Sequence, residues 1–138
     1  MFASATLRNP SVAYRQMGAE NAVSSASAHE LIALLFEAFS DAVAQARGAL
    51  ITGRIEDKGR AIARAVRIVE EGLKAGLDLD RGGELAHNLR QLYGYVSLRL
   101  TEANLHNDLT ALEECMRLVE PVRQAWMAID PQRAATAQ

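Results

Sequence analysis

Apolar residues recur at helical spacing along most of this chain, and polar residues fill the positions between them. The first such segment follows Ser27, and its apolar positions lie mostly three or four residues apart: Leu31, Leu35, Phe39, Val43 and Leu50, widened by Ile32, Phe36 and Ile51. This spacing indicates an amphipathic helix with a broad buried face. Ser27 and Glu30 have the spacing of a capping box, so we expect the helix to start there and to end at Gly53.

Two further segments repeat the pattern and predict a second and a third helix. The second is expected from about Glu56 to Leu77, with the apolar stripe Ile62, Val66, Val69, Leu73 and Leu77. The third is expected from about Glu84 to Leu105, with the core row Leu85, Leu89, Leu92, Val96, Leu100 and Ala103. Between them, Gly82 and Gly83 predict a turn, because paired glycines permit positive φ and disfavour helix.

A fourth helix is expected after Asn107 and Asp108, which have the side chains of helix caps. Its apolar positions are Leu109, Leu112, Met116, Val119 and Trp126. Pro121 falls inside this pattern, so we expect a kink or local unwinding there.

Four helices with short connections predict an all-α fold, an antiparallel up-and-down four-helix bundle with an irregular N-terminal arm. The expected divisions are a flexible arm over residues 1–26, the bundle over 27–129 and a disordered tail over 130–138. The arm contains Pro10 and no sustained apolar stripe.

Composition narrows the class of protein. The chain of 138 residues has a formal net charge of −2, which argues against nucleic-acid binding because such surfaces are usually basic. Cys115 is the only cysteine, so neither an internal disulfide nor a Cys-rich metal site is expected. No apolar run is long enough for membrane insertion, and no secretory signal is recognised, so we expect a cytoplasmic protein.

Catalytic chemistry has little support in the sequence. There is no Gly-rich phosphate loop, nucleophile elbow or paired-carboxylate motif, so we expect no enzyme activity, no cofactor and no metal site. One alternative stays open: the segment from Ala86 to Arg90 is similar to the phosphorylatable segment of histidine phosphotransfer domains, which are also four-helix bundles. His87 would then accept a phosphoryl group beside Arg90, although Gln91 stands where a glycine is usual.

Polar and aromatic residues beside the core row of the third helix indicate partner binding. At about 100° per residue, Asn88, Tyr95 and Arg99 fall on one flank of the row, and Tyr93 and Asn104 fall near the other. Tyrosine has an apolar body and a polar tip, which suits edges that become buried on binding. The candidate partner-binding positions, with one from the arm, are Tyr14, Asn88, Tyr93, Tyr95, Arg99 and Asn104. The alternative interpretation is that the tyrosines only close the core.

The order of several short motifs resembles the FliS family of flagellin export chaperones. In chain order the motifs are Ala13-Tyr14, Ser25-Ala26-Ser27, Leu35-Phe36, Gly82-Gly83-Glu84-Leu85-Ala86, Asn88-Leu89, Leu92-Tyr93-Gly94-Tyr95, Arg99-Leu100, Glu102-Ala103-Asn104, Asn107-Asp108 and Trp126. Two positions depart from the family pattern: Ala28 replaces a usual proline, and Phe36 replaces a common tyrosine. Both substitutions keep the local physical character.

The resemblance implies a function. The family's four-helix bundle binds the C-terminal disordered segment of flagellin, prevents premature polymerisation and helps to deliver the cargo to the export gate protein FlhA. It needs no ATP, because binding alone shifts the population of flagellin away from assembly. A homodimer, or a structural bundle that only dimerises, remains an open alternative.

Overall fold

The computed structural model describes residues 25–129, and this part of the chain is helical throughout, with short turns and no strand. The elements are α1 (Ser25–Ile51), α2 (Ile55–Arg67), a π-helical segment that continues α2 (Ile68–Lys74), α3 (Gly83–His106) and α4 (Leu109–Met127). The predicted all-α four-helix fold is therefore confirmed. Residues 1–24 and 130–138, which include nearly all of the predicted arm and the whole predicted tail, lie outside the described residues.

The first and last helices run antiparallel. Arg47 of α1 donates to Glu113 of α4 at 3.1 Å, and Arg123 of α4 donates to Glu37 of α1 at 3.1 Å. As the residue number rises along α1, the number of its partner on α4 falls, so the two helices point in opposite directions.

The second and third helices are antiparallel by the same test. Lys58 contacts Asn104, whereas Glu70 contacts Ser97. Each helix packs against its neighbours in sequence, and α4 returns to pack against α1. The four helices therefore form a closed ring in which the α1–α2 side lies opposite the α3–α4 side.

The core row of α1 differs in part from the predicted one. Ile32, Phe36, Phe39 and Val43 are buried, as expected for residues that repeat at intervals of three and four. Leu31, however, is 46% exposed, and Ile51 is also exposed. Leu31 lies about 100° around the helix from Ile32, outside the face that the other helices cover.

The N-cap of α4 is the predicted one, whereas the helix interior around Pro121 differs from the prediction. Asp108 is the N-cap, and its carboxylate accepts the Ala111 N–H at 3.2 Å. The helix then continues through Pro121 to Met127, so the expected local unwinding does not occur. Pro121 is exposed, and because proline has no N–H, the Arg117 carbonyl loses its usual intrahelical donor. At the other end of the bundle, α1 begins at Ser25, two residues upstream of the expected N-cap Ser27.

The π-helical segment was not predicted from the sequence. Within it, Gly72 approaches α1 so closely that a Cβ atom there would lie 3.0 Å from a methyl carbon of Leu35. Glu70, in the same segment, accepts from Ser97 of α3 at 2.6 Å and from Lys74 at 3.2 Å. The segment thus places one small residue against α1 and one carboxylate against α3.

Lys58 is the one charged side chain that is buried within residues 25–129, with 3% of its surface exposed. Its ammonium group donates to the Asn104 carbonyl at 2.9 Å and to the side-chain oxygen of Asn107. Asn107 has φ of 52° at the C-terminal end of α3. A cation at this end satisfies a carbonyl without an intrahelical partner and interacts favourably with the helix dipole.

Candidate partner-binding surface

The side of α3 that faces away from the bundle carries an uncharged strip across three helical turns. We call it the outer strip, and its residues are Gly94, Leu98, Thr101 and Leu105. These residues share a face because they lie four, seven and eleven positions apart. Leu98 is 54% exposed and Leu105 is 74% exposed. Two leucines on one solvent-facing side of a helix are a candidate contact for an apolar partner.

Gly94 makes the upstream part of the outer strip shallow. A Cβ atom at Gly94 would meet nothing within 4 Å, so the packing of the bundle does not require a glycine there. Glycine in a helix interior costs about 0.5–1 kcal/mol relative to alanine. Gly94 lies one helical turn before Leu98, and its missing side chain would allow a partner backbone to approach the helix closely.

A polar cluster borders the outer strip on its α4 side. We define the α3–α4 cluster as Tyr95, Arg99, Glu102 and Glu114. The Tyr95 hydroxyl donates to Glu114 Oε2 at 2.8 Å, and Arg99 Nε donates to Glu114 Oε1 at 2.7 Å. Arg99 Nη1 also donates to Glu102 Oε1 at 2.7 Å. Glu114 therefore holds both the aromatic ring and the guanidinium in fixed positions beside the exposed leucines.

The hydrogen bonds of the cluster shift the pKa values of its members. Donation from Tyr95, followed by donation from Arg99, lowers the pKa of Glu114 below 4.5. The hydrogen bond from Tyr95 to Glu114 also raises the pKa of Tyr95 above 10.0, because ionisation would remove the proton that Glu114 accepts. Hydrogen bonds to Glu102 and Glu114 raise the pKa of Arg99. At neutral pH Tyr95 is therefore a neutral phenol, and Glu114 is a carboxylate beside the Arg99 guanidinium.

Three of the predicted binding residues lie along one line of α3. Asn88, Tyr95 and Arg99 are spaced by seven and four residues, and Asn88 and Tyr95 are exposed while Arg99 is half-buried. Tyr95 and Arg99 meet at Glu114, whereas Asn88 lies two turns nearer the start of the helix. Tyr14 lies outside the described residues.

Tyr93 is a core residue, which corrects its predicted place at the boundary. None of its surface is exposed, and it is the largest of the fully buried side chains. The reason is that the π-helical segment packs against this flank of α3: Ser97, one turn after Tyr93, donates to Glu70 of that segment. Asn104 lies on the same α2-facing side, where its carbonyl accepts from Lys58, although the residue itself is exposed. Asn104 is therefore separated from the α3–α4 cluster by the width of the helix.

Sequence reasoning missed three residues of this surface. Leu98 and Leu105 do not belong to the core row of α3. A leucine outside that row is expected to be exposed, and this was the signal that could have identified both residues as part of a binding surface. Glu114 gave no local signal, because its partners lie on another helix and the pairing depends on how α3 packs against α4.

The remaining candidate chemistry is sparse in the described part of the chain. His87 is exposed, and its Nδ1 lies 2.9 Å from the Gly83 carbonyl of the same helix. Cys115 is buried, and burial raises the pKa of its thiol to about 12, so the thiol stays protonated near neutral pH. Residues 25–129 contain no cluster of three or more histidine, cysteine, aspartate or glutamate side chains arranged to hold a metal ion. None of the helices in the same range has the length and apolarity needed to cross a membrane.

The fold and its exposed features define a small all-α bundle protein with a closed core and an apolar strip on one outer helix face. The chain belongs to the FliS family, because residues 10–133 match the model of the family described as Flagellar protein FliS. This finding confirms the resemblance seen in the sequence. It gives no support to the histidine phosphotransfer alternative at His87.

Relatives from several bacteria carry the same family name. The chain is 46% identical over 119 residues to the flagellar secretion chaperone FliS of Salmonella typhimurium. The matched region covers 86% of this chain and 88% of the relative. It is 44% identical to the flagellar secretion chaperone FliSB of Pseudomonas aeruginosa, over 84% of this chain and 91% of the relative. The Escherichia coli relative, also named flagellar secretion chaperone FliS, is 39% identical over 83% and 84% of the two chains.

Proposed function

We propose that this protein acts in the cytoplasm as a chaperone that binds the C-terminal segment of flagellin and prevents its premature polymerisation. Membership of the FliS family and relatives named flagellar secretion chaperone support the general role. The observation that carries the finer proposal is the outer strip of α3, where Leu98 and Leu105 face solvent beside a fixed tyrosine.

An amphipathic helix of the cargo is the partner that this surface fits. Its apolar side chains would cover Leu98 and Leu105, as in helix-in-groove recognition. The polar side chains at its edge would meet Tyr95 and Arg99, which Glu114 already holds in place. Side chains held in one position lose less conformational entropy on binding, so the α3–α4 cluster favours one orientation of the incoming helix.

Binding alone would account for the chaperone activity. A flagellin segment whose apolar face lies on the chaperone cannot present the same face to another flagellin, so assembly is suppressed without a chemical step. Ordering a disordered segment costs about 2–5 kcal/mol or more of interaction energy. The contact must therefore extend beyond the outer strip, and we propose that Asn88 and the arm residue Tyr14 take part in a longer interface. Asn104 and the buried Tyr93 would act indirectly, by fixing the packing of α3 against α2.

Delivery of the cargo is the second part of the proposal. We propose that the loaded chaperone brings flagellin to the export gate protein FlhA and releases it there without catalysing a reaction. A homodimer formed through Leu98 and Leu105 would compete with cargo for the same surface. Cargo would then shift the molar mass measured by light scattering from that of a dimer to that of a one-to-one complex.

The proposal is tested by seeded polymerisation of purified flagellin, followed by light scattering. The wild-type chain is expected to suppress growth of the scattering signal at equimolar concentration. Leu98→Glu combined with Leu105→Glu is expected to lose this suppression, because a buried carboxylate would face the apolar cargo. Leu34→Glu, which changes an exposed leucine of α1, is the matched control and should retain it. Equal suppression by the double variant and the control would contradict the proposed surface.

A further inference from the structure

We infer that the cleft between α1 and α2 is a second docking site, which binds an acidic segment of a partner protein. Because α1 and α2 lie on the side of the ring opposite α3 and α4, this cleft is remote from the α3–α4 cluster. The inference goes beyond the proposed function, since it concerns a different surface and a different partner chemistry.

The cleft is a defined depression with a volume of about 390 Å³. Its lining residues come from the second half of α1, the N-cap of α2 and α2 itself: Gln45, Gly48, Arg54, Asp57, Arg60, Ala61 and Arg64. Gly48 and Ala61 have the smallest side chains in this set. The other five lining residues are polar or charged, and the two small residues leave space between them for side chains of a partner.

Three arginines and one carboxylate line the α2 side of the cleft. Arg54 Nη1 donates to Asp57 Oδ2 at 3.2 Å, and Arg60 donates to the other oxygen of the same group. Arg64 Nη2 donates to Gln45 Oε1, a neutral amide, at 2.8 Å. The lining thus has a formal charge of +2 (three arginines and one aspartate) in a chain whose formal net charge is −2.

Intramolecular hydrogen bonds hold the three arginine side chains at the cleft. Arg54 is held from two sides, because its Nε also donates to Thr52 Oγ1 at 2.9 Å. A guanidinium has five N–H donors, and the bonds described here occupy only part of them within residues 25–129. A carboxylate accepts two parallel bonds from one arginine, which makes glutamate and aspartate side chains suitable ligands for Arg60 and Arg64.

Apolar residues beside the cleft favour a protein segment over a nucleic acid. Ile51 and Ile55, at the turn that joins α1 to α2, are both exposed. An acidic amphipathic segment can pair its carboxylates with the arginines and place its apolar side chains on these isoleucines. The lining contains no aromatic side chain for stacking a base, and the net negative charge of the chain opposes a long polyanion.

The test uses the full chain and a fluorescein-labelled helical peptide of alanine, leucine and several glutamates. A second peptide has glutamine at each glutamate position. Fluorescence anisotropy is measured at low ionic strength, and the signal is then followed as salt is added. The variant is Arg60→Gln combined with Arg64→Gln. The control is Arg81→Gln combined with Arg90→Gln, which removes the same charge from exposed positions outside the cleft.

The wild-type chain should bind the glutamate peptide more tightly than the glutamine peptide, and added salt should weaken this binding. The cleft variant should bind about five- to tenfold more weakly, which is the effect of losing two exposed ion pairs. The control should stay within about twofold of wild type. Single Arg64→Gln, measured alongside, keeps the test valid if the double variant is unstable.

Four results would overturn the inference: no binding of the glutamate peptide, equal binding of both peptides, equal weakening in the control, or tighter binding of an oligothymidine through the same arginines. Suppression of flagellin polymerisation by the cleft variant is measured in parallel. Because the outer strip is intact in this variant, retained suppression separates a failure of this inference from a failure of the proposed function.

Discussion

His29 and Trp126 hold the start of α1 and the end of α4 together through two reciprocal hydrogen bonds and a ring stack. The His29 ring nitrogen Nε2 donates to the Trp126 carbonyl at 2.9 Å, and the Trp126 indole N–H donates to the His29 carbonyl at 3.0 Å. The two ring centroids are 4.7 Å apart, with an interplanar angle of 15°. The contact closes the ring of helices at the end of the bundle where the described residues begin and end.

His29→Ala is expected to lower the free energy of unfolding by about 1–3 kcal/mol, because it removes one hydrogen bond and the ring contact. Urea unfolding followed by tryptophan fluorescence measures this change, and the emission of Trp126 should move to longer wavelength as water reaches the indole. His106→Ala, at an exposed position near the end of α3, should change the free energy by less than about 0.5 kcal/mol. Equal effects of both substitutions would show that the His29 contact contributes nothing specific.

Tyr93 and Tyr95 are expected to respond oppositely to substitution, although only one residue separates them. Tyr93→Ala should lower the free energy of unfolding by about 3–5 kcal/mol, because it opens a cavity in the centre of the core. Tyr95→Ala removes an exposed ring, so the unfolding midpoint should move little while cargo binding weakens. Urea unfolding and a cargo-binding assay on both variants separate these effects. A large stability loss in Tyr95→Ala would contradict its assignment to the surface.

Lys58→Met is expected to destabilise the fold by about 1–3 kcal/mol, because the Asn104 carbonyl and the Asn107 side chain would lose a buried donor. Methionine keeps most of the side-chain volume, so the loss reports on the hydrogen bonds rather than on a cavity. Hydrogen exchange should show faster opening at the C-terminal end of α3. Unchanged stability and exchange would mean that the buried ammonium group contributes nothing net to the fold.

Glu114 should make stability depend on pH in the acidic range. Its pKa in the folded state lies below 4.5, so folding favours the carboxylate, and this contribution is present above pH 4.5 and is lost as pH falls through the lower folded value. Glu114→Gln should therefore be less stable than wild type at pH 7, and the gap should narrow as the pH falls below 4.5. Urea midpoints at several pH values measure the gap, with Glu71→Gln as the exposed control. A gap that widens on acidification would contradict the assigned direction of the shift.

The sequence predicted the number, order and approximate ends of the helices because each depends on local signals. The apolar rows of α3 and α4, the turn at Gly82 and Gly83, and the cap at Asp108 are all signals of this kind. The π-helical segment was not predicted, and its close contact between Gly72 and Leu35 joins two helices whose packing the local sequence pattern does not give.

The candidate surface was only partly predictable, because helical periodicity gives an angle on one helix and not the positions of its neighbours. The pattern placed Tyr95 and Arg99 beside the core row, and the structure shows that both contact Glu114. Tyr93 has a similar angular offset on the opposite side, yet it is completely buried on the flank where Ser97 contacts the π-helical segment. Tyr93 and Tyr95 differ in exposure because the neighbouring helices cover one flank of α3 more fully than the other. The extent of this cover depends on the packing of the whole bundle.

The central claim is that the outer strip of α3 binds the flagellin segment, and calorimetry tests it most directly. The full chain would be titrated with a peptide that covers the C-terminal helical region of flagellin, and compared with the Leu98→Glu and Leu105→Glu double variant. We predict saturable binding with a negative heat-capacity change, as expected when apolar surface is buried, and at least about a tenfold loss in the double variant. Absence of binding to the peptide and to the flagellin monomer, or equal affinity of the double variant, would contradict the claim.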